Sequence, residues 1–275
     1  MRAALLQMTS GIDPDANAAT LVKAVADAAR GGADMLFTPE MSGLVDQNKA
    51  RSAANIRAEA DDGALAMVRE AAAQAGIWVH IGSLALQAED GRSRVNRAFV
   101  IDNTGAIRAR YDKMHLFDVD LPSGESWRES AVYTAGQGPT VCETPWGLLG
   151  LSICYDMRFP DLYRAMSDAG AVMLAVPAAF TVPTGSAHWH VMLRARAIEA
   201  GAFVIAAAQG GEHQDGRVTY GHSLVVDPWG SVLLDMDGGA GLGFADLDMT
   251  RVTDVRTRLP ALSHRRPIGP VEIAR

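Results

Sequence analysis

Three residue types in this chain of 275 residues stand where they could break an acyl bond: a thiol, a carboxylate and an ammonium. Cys154 closes the apolar run GLLGLSIC and is followed by Tyr155, Asp156, Met157, Arg158 and then Phe159-Pro160, a helix-start signal. A strand-to-helix turn exposes a nucleophile, and a helix N-terminus with a nearby cation favours the reactive thiolate. The same context also fits a plain core thiol. Glu40 ends ADMLFTPE directly after Pro39, where a buried strand would not tolerate a free carboxylate. It is a candidate general base, with a surface residue or local cap as the competing reading. Lys113 follows RARYD and leads into His115-Leu116-Phe117; alone it reads as a solvated charge.

Elements must bring these groups together. In the first third, apolar runs alternate with Ala-rich helical patterns: RAALLQM, a helix from Asn17 to Arg30, ADMLFTPE, a helix around Ala64 to Ala75, then IWVHIGS. RAFVID and IRARYDK flank Asn103-Thr104-Gly105 as a hairpin. The stretch from His115 to Gly138 shows no periodicity and is long for a connection, as functional loops often are. The second half repeats the order of the first: WGLLGLSIC, a helix from about Pro160 to Ala169, AVMLAVPA, a helix from about His188 to Ala200, and FVIAAAQ. HSLVVD and SVLLDMD flank Pro228-Trp229-Gly230 as a second hairpin, and LGFADLD adds a strand before a polar helix and tail. Strands this apolar, joined partly by helices and partly by hairpins, predict an α/β fold of two mixed sheets packed face to face, with helices outside. No linker composition divides residues 1–275, so one domain is expected. Glu40, Lys113 and Cys154 each end a predicted strand, where α/β sheets build their ligand crevices.

The bulk properties restrict the function. With 48% hydrophobic residues the chain can bury a large core, and a formal net charge of -7 without basic runs argues against nucleic acid. Two cysteines, Cys142 and Cys154, are too few for a disulfide framework and form no paired metal motif. A reducing, cytoplasmic setting is expected. The most apolar segments, AVMLAVPAAF and GAFVIAAAQGG, are about half the length of a membrane span. His188 and His190, two apart on a predicted helix, face different ways and should not share a metal; one is expected to pack and the other to be solvated. GGAGLG reads as a flexible turn and has no dinucleotide-binding spacing.

FTPE around Glu40, YDKMHLFDVD around Lys113 and CYDMRFPDLYR around Cys154 together resemble the three signature blocks of the nitrilase superfamily, and the similarity runs over nearly the whole chain. The resemblance implies a four-layer α-β-β-α sandwich, association as a homodimer or higher homo-oligomer, and a thioester mechanism without metal or organic cofactor. It implies Cys154 as nucleophile, Glu40 as general base, and Lys113 with the Tyr155 backbone N–H as stabilisers of the oxyanion. Glu129, in SWRES, matches a second glutamate that amidase members place near the lysine. Tyr155-Asp156-Met157-Arg158-Phe159, where nitrilases proper have Trp-Glu after the nucleophile, resembles the Nit amidase branch. Met114 departs from the Thr or Ile common there.

That branch implies small, carboxylate-bearing amide substrates: deaminated glutathione, or ω-amides of 2-oxo acids such as 2-oxoglutaramate. RARAIE, AAAQGGEH and RVTYGHS look closer to the first group. Arg158 at a helix start suits a substrate carboxylate, unless Asp156 or Asp161 neutralises it. Phe180 and Thr184, in AAFTVPTG, match pocket positions of Nit relatives, although Phe180 also reads as core. Open alternatives are an N-carbamoyl-type amidohydrolase, a papain-like enzyme using His115 or His222 as base, and a redox-sensing or binding protein on the same fold.

Overall fold

The computed structural model describes residues 1–120, 124 and 126–274. Helix α1 (Pro14–Arg30) starts where the Asp13 carboxylate accepts from the N–H groups of Asp15 and Ala16, with Pro14 pre-setting the first turn. Helices α2 (Lys49–Asn55), α3 (Gly63–Ala75), α4 (Pro160–Asp168), α5 (Val182–Ala200) and α6 (Thr250–Arg258) follow.

One sheet runs, in spatial order, Gly241–Asp246, Arg2–Gln7, Met35–Phe37, Trp78–Gln87, Arg94–Ile101, Ile107–Asp112, with Arg57–Ala58 at the end of the fourth strand. The other runs Val232–Asp235, Leu224–Val226, Phe203–Ala206, Met173–Ala175, Gly147–Leu151, Thr140–Thr144. Both mix parallel and antiparallel pairs. Strand side chains alternate in direction. Ala3, Leu5, Met35 and Phe37 therefore join Leu149, Leu151, Met173 and Ala175 in a core between the sheets, whereas Ala4, Leu6, Leu36 and Val79 pack outward on Leu21 and Val25 of α1 and Leu65 and Val68 of α3. On the far side, Leu174, Val204 and Val226 meet Leu162 and Met166 of α4 and Trp189 and Leu193 of α5. The result is the four-layer α-β-β-α sandwich expected.

Several expectations change in detail. The predicted ADMLFTPE strand shortens to Met35–Phe37, which leaves Glu40 on the loop beyond it. Helix α5 begins at Val182, six residues before His188, because Pro183 is favoured in a first turn and opens the helix. The stretch after His115 carries a small antiparallel pair, Asp118–Asp120 with Ser126–Arg128, and a 3₁₀ turn at Glu129–Ala131. Thr140–Thr144, the pair Gly210–Glu212 with Val218–Tyr220, and α2 are additional elements; short polar segments carry too little periodicity to announce themselves. The last strand returns to the first sheet and pairs with Arg2–Gln7.

Candidate active site

Loops beyond several strands, drawn from both sheets, converge on one polar cluster. Gly82 permits the approach: a Cβ there would lie 2.1 Å from the Thr38 carbonyl oxygen, 2.5 Å from that of Pro39 and 2.5 Å from Pro177 Cβ. The loop carrying Glu40 is pinned as Ser42 Oγ donates to the Pro39 carbonyl at 2.6 Å and Gln209 Nε2 to the Glu40 carbonyl at 3.0 Å.

Glu40 and Lys113 are buried, 4% and 2% exposed, so their charges must be compensated by protein. Lys113 Nζ donates to Glu40 Oε1 at 2.8 Å and to Glu129 Oε1 and Oε2 at 3.1 and 2.9 Å. Glu40 Oε2 accepts from the Ala179 N–H at 2.9 Å, a bond that crosses from one sheet's loops to the other's. Glu129 Oε2 also accepts from the Phe117 N–H at 2.7 Å. Burial opposes ionisation of Glu40, but the Lys113 charge, with hydrogen bonds from Lys113, the Cys154 thiol and Asn96, holds its carboxyl below the ordinary value. Burial likewise opposes the ammonium of Lys113, yet Glu129 and Glu40 raise it well above its usual range.

Cys154 is buried and opens a 3₁₀ turn, Cys154–Arg158, at a φ of 49°, unusual for a residue with a side chain. Its N–H donates to the Pro177 carbonyl at 2.8 Å, which helps fix this backbone. The Tyr155 N–H lies ahead of the first turn bond, Asp156 N–H to Ile153 carbonyl at 3.1 Å, and so has no partner within the turn. The expectation that the thiolate is favoured is corrected here. Burial, followed by the Glu40 charge, pushes the thiol well above its ordinary value, against Lys113 and the Ala179 N–H. The resting pair is a neutral thiol beside an ionised carboxylate.

Two groups in this cluster escaped sequence reasoning. Asn96, 2% exposed, donates through Nδ2 to Glu40 Oε1 at 3.0 Å and to Glu129 Oε1 at 3.2 Å, tying the two carboxylates together. An Asn inside RVNRAFVI, among five apolar residues, was the available signal. Asp156, fully buried, accepts from Ile153 N–H at 2.9 Å, Tyr111 Oη at 2.7 Å and His115 N–H at 3.0 Å, and meets His115 Nδ1 at 2.7 Å. It joins the Cys154 turn to the Lys113 loop.

The outer residues form a second group. Among the described residues Arg158 has no carboxylate partner; both its Nη atoms lie 3.4 Å from His188 Nδ1, and its guanidinium sits over the rings of Tyr155 and Phe180 at 5.8 and 5.5 Å. Phe180 is buried against Trp189, so it is also part of the core. Thr184 Oγ1 pairs with Thr181 Oγ1 at 2.7 Å. His115 stacks on Phe159 at 3.6 Å in addition to its Asp156 contact, and His222 pairs with Asp235, so each imidazole is engaged by a carboxylate. Of the two helix histidines, His188 is exposed, whereas His190 is half-buried, packs edge-on against Tyr220 and His222 and meets Asp235 at 2.8 Å.

A buried Glu-Lys-Cys cluster between two sheets of an α-β-β-α sandwich defines a class, and comparison supplies its name. The carbon-nitrogen hydrolase family model matches residues 2–257, and the chain belongs to that family. It is a hydrolase of carbon–nitrogen bonds other than peptide bonds. The deaminated glutathione amidase of Rattus norvegicus is 40% identical over 270 residues, 96% of this chain and 82% of that protein. The C. elegans NitFhit structure superposes with a TM-score of 0.89 at 38% identity, over 96% of this chain and 65% of that one. An amidase from Nesterenkonia sp. AN1, solved after Michael addition of acrylamide at its active-site cysteine, gives 0.78 at 31% identity, over 94% of this chain and 98% of that one. The nitrilase-superfamily resemblance read from the three sequence blocks is borne out.

Proposed function

We propose that the chain hydrolyses deaminated glutathione through a thioester on Cys154. The observation that carries this is the buried Lys113 ammonium held between Glu40 and Glu129, with Glu40 beside the thiol. Glu40 takes the thiol proton as sulfur attacks the amide carbonyl, and passes it to the departing amine when the carbon–nitrogen bond breaks. Glu40 then takes a proton from water, whose hydroxide attacks the thioester; the acid leaves and the proton returns to sulfur. Lys113 and the Tyr155 N–H hold the oxyanion of both tetrahedral intermediates. Glu129 keeps Lys113 charged and aimed. The reaction needs no metal and no organic cofactor.

Arg158, without a carboxylate partner among the described residues and flanked by His188, is read as the anchor of a substrate carboxylate, with Phe180 and Thr184 along the same wall. The substrate itself rests on the several relatives named deaminated glutathione amidase at 37–41% identity. We place the enzyme in the cytoplasm as one catalytic domain; no helix among the described residues is long and apolar enough to cross a membrane, and both cysteines are free. Exposed Val191 and Ile198 of α5, with Trp229 nearby in the fold, support association as a homodimer or higher oligomer through this side.

The test compares turnover of deaminated glutathione and 2-oxoglutaramate by wild type, Cys154→Ala and Glu40→Gln, following release of the free acid. Preference for deaminated glutathione is expected, with activity abolished in the first variant and reduced about 10²- to 10⁴-fold in the second. Preference for 2-oxoglutaramate would reassign the enzyme as an ω-amidase, and retained activity in Cys154→Ala would remove the thioester.

A further inference from the structure

Outside the Glu40, Lys113 and Cys154 cluster, three chain segments bring a second set of reactive side chains together. His190 projects from α5, His222 from the turn before Leu224–Val226, and Asp235 ends Val232–Asp235. His190 Nε2 lies 2.8 Å from Asp235 Oδ2 and His222 Nδ1 lies 2.9 Å from Asp235 Oδ1; one ligand-type atom of each residue falls within 4.8 Å of the others.

The framework around them is firmly built. His222 adopts a φ of 55°, donates its N–H to the Asp237 carbonyl at 2.6 Å and accepts from Trp189 Nε1 at 2.8 Å. Its ring stacks on Tyr220 at 4.3 Å, and Asp235 Oδ1 also accepts from the Asp237 N–H at 3.0 Å. In the single chain the three side chains are 33%, 24% and 28% exposed, which leaves an ion a way in.

We propose that His190, His222 and Asp235 form a site for one divalent transition ion of the zinc class. Two imidazoles and one carboxylate select Zn²⁺, Co²⁺ or Ni²⁺ over the oxygen-seeking Mg²⁺ and Ca²⁺. Tetrahedral zinc with bonds of about 2.0–2.1 Å sets its ligand atoms roughly 3.3 Å apart. The groups therefore need small rotations only. On binding, each neutral ring carries its proton on the nitrogen facing away from Asp235, leaving His190 Nε2 and His222 Nδ1 as ligands, and water completes the shell. Because the ligands come from α5, from the turn before Leu224–Val226 and from the end of Val232–Asp235, an ion here would fasten the helix that carries His188 and Trp189 to the second sheet.

The experiment uses untagged Cys154→Ala protein, so that neither the active-site thiol nor a tag competes for metal. Zn²⁺ is titrated calorimetrically and Co²⁺ by visible absorption. One equivalent per chain is expected, with the ligand-field bands of a low-coordinate Co²⁺ site, and affinity falling about 100-fold or more in His190→Gln and in Asp235→Asn. Both positions are partly exposed, and far-UV circular dichroism checks that each variant is folded; His190→Gln, altering one helix-surface ring, keeps the test readable if Asp235→Asn is not. Absence of saturable binding below millimolar metal, or binding unchanged by His190→Gln, would overturn the site and leave a hydrogen-bonded His-Asp-His clamp.

Discussion

Asn96 shows how much of the cluster depends on a single neutral side chain. Its Nδ2 group supplies a hydrogen to each of two carboxylates that would otherwise repel one another across Lys113. Asn96→Ala removes a hydrogen bond to a buried charge, worth about 1.5–3 kcal/mol, and kcat should fall about 10- to 100-fold. KM should change little, since Asn96 has its contacts with the carboxylates that surround Lys113. The pH profile separates this role from mere packing. Asn96 helps hold Glu40 below its ordinary value, so its loss raises the Glu40 pKa and the acidic limb of kcat/KM moves to higher pH. An unshifted limb with reduced kcat would assign Asn96 to packing alone.

At the scale of elements, the site depends on strands ending early. Met35–Phe37 and Gly147–Leu151 each stop three residues short of the functional side chain, and the intervening residues turn Glu40 and Cys154 toward each other. Gly82, at the register shift of Trp78–Gln87, makes room for the Glu40 loop beside Pro177. Gly82→Ala places a methyl against two backbone carbonyls, which cannot rotate away as a side chain would. A loss of about 1–3 kcal/mol is expected in urea unfolding. The rate of thioester formation should fall further than stability alone explains, because the Glu40 loop must be displaced. Burst kinetics in the folded protein read this directly, and a burst of wild-type rate would show that the loop tolerates the shift.

Across the whole molecule, the core between the sheets also encloses a histidine. His80 is 1% exposed beside Phe37, and its Nε2 has no partner among the described residues; burial pushes its pKa down to about 3. The unfolded chain takes up a proton near pH 6.5 and the folded one does not, so the stability present above pH 6.5 is lost as pH falls toward 3, by about 1.4 kcal/mol per unit. Urea midpoints between pH 7 and 4.5 should show this slope in wild type and lose one proton's worth of it in His80→Leu; an unchanged slope would place acid sensitivity elsewhere. What the sequence determined by itself was the layered architecture, because near-continuous apolar strands and Ala-rich helical patterns are local, and the family, because three blocks around Glu40, Lys113 and Cys154 survive as contiguous text. Glu129 was legible only through that resemblance. Asn96, Asp156, Gly82 and the His190-His222-Asp235 cluster were decided by tertiary structure. Most of their partners lie tens of residues away, and no local pattern records which buried amide faces which carboxylate. The protonation state of Cys154 belongs here too: turn position and a nearby cation argued for thiolate, and only the depth of burial beside an ionised Glu40 reverses it.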